Sequence, residues 1–538
     1  MLQNDLKDSM EALLLVVVLS AAVLIGTTVG GRYSVAPPVL LIVGGALLAL
    51  IPLLSDVTLP PEAVLLLFLP PILYYESLNT SLREIRANLR VILLSAIALV
   101  VATMVAISYA LQAVGVPAGA AWILGAVLAP TDAAAVAGLA KRMPRRTLTT
   151  LRTESLINDG TALVLFAVTL TALEGGSVPG PPELAARFLW SFAGGMLAGT
   201  LTGALVVFTR RRLEDPLVEG GLSVLTPFVA FLAAEVVHAS GVVGVVVSGL
   251  ILSYYGPRVI SARSRFGTFA FWDLSTFLLN GGLFVLVGMQ LPQALRSIDG
   301  STLSHAFVVA LTASAVVILS RLTWVHVITW IIRLVDRRAV QRTRRANWKV
   351  RTASGWAGFR GAVSLAAALL VPSTLADGTP YEERNLIVFT TITVIVVTIL
   401  LQGLTLPYVL RWAGLDGGDQ ARRKETRKAS VKASEAALAA LPAFAQSMNA
   451  PDDMVSRIRA DYEAHIADLR AENGGDDERG TVRYQQQEHR LRLAVLQHKR
   501  QTITQLRDDG KIDDYVLRDL QASMDIEEIR LLGPTPLD

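Results

Sequence analysis

Glu154-Ser155-Leu156-Ile157-Asn158-Asp159-Gly160-Thr161 stands inside an otherwise apolar run at about 149–173. On a helix, Ser155 and Asp159 are four residues apart, as are Glu154 and Asn158, so each pair stacks on one face and the two faces adjoin. A hydroxyl and a carboxylate come together, with a second carboxylate and an amide alongside. The run is long enough to cross a bilayer core, which takes roughly 20 apolar residues. An ionisable side chain at mid-bilayer costs at least about 2.5–3.5 kcal/mol. A purely structural reading would require other helices to neutralise four polar residues in six, at large desolvation cost. The block reads as a site built inside a membrane protein.

The rest of the chain agrees. At roughly 150 residues per domain, 538 residues would make three or four soluble domains. But 52% of the residues are apolar and only 17% are charged, where a soluble protein carries about 25% charged residues. Mean hydropathy is +0.49. Apolar runs near 11–30, 37–54, 60–77, 90–114, 118–140, 149–173, 184–209, 221–238, 240–256, 268–290, 302–332, 353–371 and 385–410 predict thirteen membrane spans. Only His238-Ala239-Ser240-Gly241 divides the eighth from the ninth. A signal peptide is the rival reading of the first span. Against it, Asp5, Asp8 and Glu11 stand where a signal is basic, and Thr27–Gly31 offers no convincing cleavage site. There is no cysteine, which excludes disulfides, Cys-ligated zinc and Fe–S clusters.

Lysine and arginine asymmetry orients the spans. Alternate loops, from Arg32 through Arg83, Lys141, Arg210 and Arg258 to the basic stretch at about 333–351, hold 23 such residues, against Lys7, Arg187, Arg296 and Arg384 on the other side. The N-terminus is therefore expected outside and the C-terminus in the cytoplasm. Charge divides with the chain: residues 1–415 carry net +8 and residues 416–538 net −4. The pI of 9.3 reflects basic loops of a membrane domain, not a nucleic-acid-binding face. The tail, 416–538, is predicted to form helices at about 420–447, 452–472, 480–508 and 511–530, with Pro442, Pro451 and Gly474-Gly475 between the first three. Leu491, Val495 and Ile503 give the third an apolar stripe suited to a partner helix. The tail is read as a small helical domain with a possible regulatory role.

The other charges inside spans are Glu76, Asp132, Glu235, Asp273, Arg321, His326 and Arg360. Glu76, Arg321 and His326 read as helix-end residues whose heads reach water, and Asp273, beside Trp272, as a packing or interface residue. In Ala129-Pro130-Thr131-Asp132 a proline breaks the fifth span and frees backbone carbonyls. In a membrane such a break survives only where protein or a wet cavity covers it. The freed carbonyls and the Thr131 hydroxyl are hard oxygen ligands of the kind Na+ accepts, and Asp132 compensates the half-helix that follows. Arg360, in Gly358-Phe359-Arg360-Gly361, sits in a second Gly-flanked interruption and calls for a carboxylate, for which Glu154 is the best candidate. That pairing leaves Asp159 free to exchange a proton for a metal ion. Paired interruptions point to two inverted six-helix repeats, spans 1–6 and 8–13, with the site at the midplane.

Pro130-Thr131-Asp132, the Glu154–Asp159 run and Phe359-Arg360-Gly361 resemble the Na+/H+ antiporters of the first cation–proton antiporter family, the NhaP-like and animal exchanger group. Phe68-Leu69-Pro70-Pro71-Ile72-Leu73-Tyr74 and Asn280-Gly281-Gly282-Leu283-Phe284 add to a resemblance that covers roughly 12–410. It implies a homodimer in the cell membrane, with a core domain moving against a dimerisation domain in an elevator-like cycle. By position it implies Asp159 as the cation- and proton-binding carboxylate, and Ser155 and the Thr131 carbonyl as further ligands. Asn158 would orient the site, Asp132 would steady the broken crossing, and Glu154 with Arg360 would form a buried pair. Asn-Asp, where electrogenic relatives have Asp-Asp, implies electroneutral exchange. Glu76 departs from the small or polar residue usual there. No resident cofactor is implied, only the transported Na+ and H+.

The residues alone suggest the same cycle. One carboxylate holds either a proton or a metal ion, because the proton removes the charge that holds the metal. If the core crosses only when Asp159 is neutralised, exchange is obligatory, since an empty charged site meets the desolvation cost. Rival readings are K+/H+ exchange, a passive cation or proton channel, and an intramembrane aspartyl protease using Asp132 and Asp159. The protease lacks its Gly-x-Gly-Asp and Tyr-Asp signatures, so no enzyme is expected.

Overall fold

The computed structural model describes residues 2–33, 36–52, 64–82, 85–86, 92, 94–132, 145–173, 181–298, 300, 302–335, 347–375, 378–415, 418–471, 479–509, 511 and 514–532. The second half of the fifth expected span (133–140), the start of the third (60–63), Arg83, Lys141, most of the basic loop near 336–346 and Gly474-Gly475 lie outside them. Two compact units form, Met1–Gly418 and Asp419–Asp538.

In the first unit the apolar runs become helices: α1 (Leu2–Tyr33), α2 (Pro37–Leu48), α3 (Leu69–Leu78, entered through a π-helical turn, Val64–Phe68), α4 (Leu99–Ala113, likewise after Leu94–Ala98), α5 (Ala118–Leu128) and α6 (Arg145–Leu173). After these come α7 (Pro181–Arg210), α8 (Pro216–Glu235), α9 (Gly241–Val259), α10 (Ala262–Arg296), α11 (Leu303–Val335), α12 (Trp348–Trp356), α13 (Ala362–Leu369) and α14 (Glu383–Trp412). Among the described residues nine helices are long and apolar enough to cross a membrane, and three shorter apolar helices accompany them. The unit is an all-helical, multi-pass membrane protein. The short divider at 238–241 does separate two helices. His238 turns the chain out of α8 with φ of +52°, and the Ser240 hydroxyl caps α9 by accepting from the Val243 N–H at 3.3 Å.

Three apolar clusters place the polar block. One joins α1, α2, α10 and α14 around Val23, Ile42, Val285 and Phe389. A second is built by α4, α5, α11 and α14 around Ile107, Leu124, Val309 and Val394, and takes Ala162 and Phe166 from α6. The third, of α3, α7, α8 and α9 around Tyr74, Val206, Ala230 and Val245, takes Leu156 from α6. Helix α6 thus contributes to all three cores, the first through Leu151, with residues on either side of Asn158 and Asp159. Lipid is as apolar as these side chains, so burial alone gives helices little reason to associate; close packing and hydrogen bonds specify the arrangement.

The second unit contains α15 (Gly418–Met448), α16 (Asp452–Ala471), α17 (Arg479–Asp508) and α18 (Asp514–Leu532). Pro442 does not interrupt α15 as expected; the helix ends at Asn449, whose φ of +50° is a left-handed stop, with Pro451 beyond it. Among the described side chains of the amphipathic α17, Leu496 is buried, while Leu491 and Val495 are exposed. Arg500 bridges to Asp525 and Glu528, and Lys499 to Glu527, so α17 packs on α18 through charge as well as apolar contact.

Candidate functional site

Helix α5 stops at Leu128, and the chain runs non-helically through Pro130, Thr131 and Asp132. A second break separates α12 from α13 over residues 357–361. The two breaks meet. The Asp132 N–H donates to the Phe359 carbonyl at 2.9 Å, a backbone bond joining segments more than two hundred residues apart in sequence. Gly361 makes the approach possible: the Asp132 carboxylate occupies the space a Cβ there would need. At Gly358 the Arg321 side chain does the same.

Arg360 is 1% exposed, and it departs from expectation. Its Nε donates to the Leu128 carbonyl at 2.7 Å, Nη1 to the Gly358 carbonyl at 2.7 Å, and Nη2 to the Ala129 carbonyl at 3.4 Å. The guanidinium therefore caps the C-terminal end of α5, where the Leu128 carbonyl has lost its helical donor, the Asp132 N–H, to the Phe359 carbonyl. A half-helix carries a partial negative charge at that end, so a buried arginine is satisfied there without a carboxylate. Glu154 pairs instead with Arg321 of α11, Nη1 to Oε1 at 2.5 Å. The expected Glu154–Arg360 ion pair is thus corrected. Arg321 is also no helix-end residue with its head in water, since it is 3% exposed in the interior of α11.

The polar block on α6 faces the first break. The Ser155 hydroxyl donates to the Thr131 carbonyl at 2.8 Å, and Asn158 Nδ2 donates to Thr131 Oγ1 at 2.8 Å. Asn158 Oδ1 is buried without a partner. Thr131, Ser155, Asn158 and Asp159 are all buried. Among the described residues Asp159 makes no hydrogen bond or ion pair. A hydroxyl, a backbone carbonyl, an amide oxygen and a carboxylate therefore border one break, an oxygen-rich set suited to a small hard cation. Asp132 and Glu76 both act electrostatically on Asp159. Glu76 does lie near the C-terminal end of α3, half-buried. Its one signal in the sequence was an acidic residue in an apolar run.

The remaining intramembrane charges lie elsewhere. Glu235 accepts from the Gly241 N–H at 3.3 Å, His326 lies 3.2 Å from the Thr352 hydroxyl, and Asp273 accepts from the Tyr75 hydroxyl.

Comparison with known proteins covers most of the chain. The model of a family described as sodium/hydrogen exchanger, transmembrane, matches residues 18–412. An uncharacterised Na+/H+ exchanger of Mycobacterium tuberculosis is 52% identical over 486 residues, 90% of each chain. A sodium, potassium, lithium and rubidium/H+ antiporter of Bacillus pumilus is 29% identical over 86% of this chain and 70% of its own. The low-affinity Na+/H+ antiporter NhaS1 of Synechocystis is 32% identical over 69% of this chain and 68% of its own. In fold, the sodium proton antiporter MjNhaP1 of Methanocaldococcus jannaschii is similar, with a TM-score of 0.56 at 19% identity, covering 73% of this chain and 99% of that one.

Proposed function

The chain belongs to the sodium/hydrogen exchanger family, and from that premise we propose that it exchanges Na+, and Li+ with it, for H+ by alternating access at one carboxylate, Asp159. The observation that carries this reading is the buried Asp159 side chain, without hydrogen bond or ion pair among the described residues, beside a helix break bordered by Thr131, Ser155 and Asn158. A carboxylate so placed is neutralised either by a proton or by a cation that takes the Ser155 hydroxyl and Thr131 carbonyl as further ligands. Neutralisation is what permits it to cross a low-dielectric barrier. Asn158 anchors Thr131, and Asp132 holds the two breaks together through its own N–H.

In the same reading Glu154 and Arg321 form a charge pair that does not take part in exchange. With one such carboxylate, one proton leaves for each cation bound, so the cycle is electroneutral. Two inverted six-helix repeats, with α7 between them and a site at their crossing, suit the paired breaks. The N-terminus is outside and the C-terminus cytoplasmic, on the loop charges. A homodimer whose cores move against a fixed scaffold completes the proposal.

A second reading has a specific support. The Bacillus pumilus relative is named for potassium and rubidium as well as sodium and lithium, so K+/H+ exchange by the same residues is the alternative. Both are tested in proteoliposomes by cation-induced dequenching of a pH dye with Na+, Li+ and K+, using wild type beside Asp159→Asn. A Na+ and Li+ response lost in the variant is the expected result; a K+ response changes the cargo alone. A full response in Asp159→Asn would overturn the site, and cation flux without coupled proton movement would mark a channel.

A further inference from the structure

Between α6 and the helices α7, α8 and α9 lies a cavity of about 830 Å3, within the roughly 300–1,000 Å3 of ligand pockets. Its α6 wall runs from Leu163 to Thr171, about 12 Å of helix at about 1.5 Å per residue. Leu66 and Leu69 of α3 and Val242 of α9 line it as well. Among the described residues, Asp159, Thr131, Ser155 and Asn158 do not line it.

The polar groups of the lining gather where the α8–α9 turn meets α7. There the Trp190 indole donates to the Val237 carbonyl at 3.1 Å, and the Ser240 N–H donates to the Ser191 carbonyl at 3.0 Å. Arg187 stands one turn before Ser191 on the same face of α7. Glu235 closes the turn from the other side, its Oε1 accepting from the Gly241 N–H at 3.3 Å. Arg187, Glu235 and His238 all line the cavity and are exposed. Glu183 holds Arg187 through Nη2 alone, at 2.8 Å and in an exposed pair, which leaves the guanidinium further donors. Glu235 likewise keeps Oε2 for another donor.

Walls of Leu, Val and Ala give water too few partners to fill the space. They offer a bare cation nothing either, so the cavity does not suit Na+. A hydrocarbon chain suits the walls, and opposite charges at one end suit a zwitterion. Trp190 beside them is of the kind that marks the headgroup level of a bilayer.

We propose that the cavity binds phosphatidylethanolamine: one acyl chain lies along α6, Arg187 takes the phosphate and Glu235 takes the ammonium. The seated lipid fastens α6 to α7, α8 and α9. An ammonium brings three N–H donors to a carboxylate. The trimethylammonium of phosphatidylcholine brings none, and phosphatidylglycerol brings no cation at all.

The test measures the lipid that purified full-length protein retains, by native mass spectrometry, and its thermal midpoint in detergent with each of the three lipids added. Wild type should retain phosphatidylethanolamine about tenfold over the other two, the worth of a hydrogen bond between charged groups. Its midpoint should rise with that lipid alone. Glu235→Gln should retain all three alike, and its amide oxygen still accepts from Gly241. Arg187→Ala should weaken retention of all three. Ala167→Trp should fill the cavity and retain none; because Ala167 is exposed, its lipid-free midpoint should match wild type. Ala167→Ser should behave as wild type throughout. Phosphatidylethanolamine held by Ala167→Trp would overturn the proposal, and so would equal uptake of the three lipids by wild type. Exchange is not read in this test, so failure of the antiport reading leaves the lipid site standing.

Discussion

Arg321 and Glu154 form an ion pair of 2.5 Å between α11 and α6, and both side chains are almost wholly buried. The pair fastens the site helix to a neighbour one residue away from Ser155. It also frees Arg360 for the backbone: one arginine serves the carboxylate and the other serves the broken helix. Removing one partner of such a pair costs about 3–5 kcal/mol, because the other charge stays buried alone.

Arg321→Ala should therefore lower the thermal midpoint in detergent sharply. The double variant Arg321→Met, Glu154→Leu should recover most of the loss, since apolar replacement of a buried pair is often neutral. A single variant as stable as wild type would refute the pairing.

Arg360→Lys should behave as a severe substitution. The guanidinium reaches three carbonyls with separate nitrogens, and an ammonium cannot reproduce that fork. Loss of exchange together with a lower midpoint is expected, as read by dye dequenching and scanning fluorimetry. Wild-type behaviour in Arg360→Lys would mean that charge alone suffices at the crossing.

Gly361→Ala should displace the Asp132 carboxylate, at a cost of about 1–3 kcal/mol for overpacking. Exchange should fall with stability, and Asp132→Gly in the same chain should restore part of the stability by vacating the space. If Gly361→Ala alone transports and melts as wild type does, the breaks do not pack as described.

Exchange should be bell-shaped in pH. In the proposed cycle the proton would hold Asp159 and exclude the cation at low pH, and the returning limb would lack protons at high pH. A rate flat between about pH 5 and pH 9 would contradict competition at one carboxylate. Added Na+ should also raise the midpoint of wild type through its binding to the native state, and should leave Asp159→Asn unmoved.

Much of the fold could be read from local pattern. The helices of the first unit fall on apolar runs of membrane length, and the break at Pro130 follows from a residue without an N–H. Ser155 and Asn158 meet Thr131; that the break and the α6 block share one site was implied by the family resemblance, not by helical spacing. For Glu76 and Asp273 the sequence could not name the partners, for a common reason. A lone carboxylate in an apolar run looks the same whether it faces water, a tyrosine or two other carboxylates, because its neighbours come from other helices.

What the sequence by itself determined is the set of elements and their chemical content: membrane-length helices, two interruptions, a polar face on α6, and the family. These depend on residues close together in the chain, through hydrogen-bond supply and side-chain period. Tertiary structure alone decided the pairings. Arg321 and Arg360 are alike in composition, and spacing does not say which of them reaches Glu154, 167 residues from the first. The answer lies in which helix end is left with free carbonyls, and in which glycines, Gly358 and Gly361, leave room for a neighbour to pass.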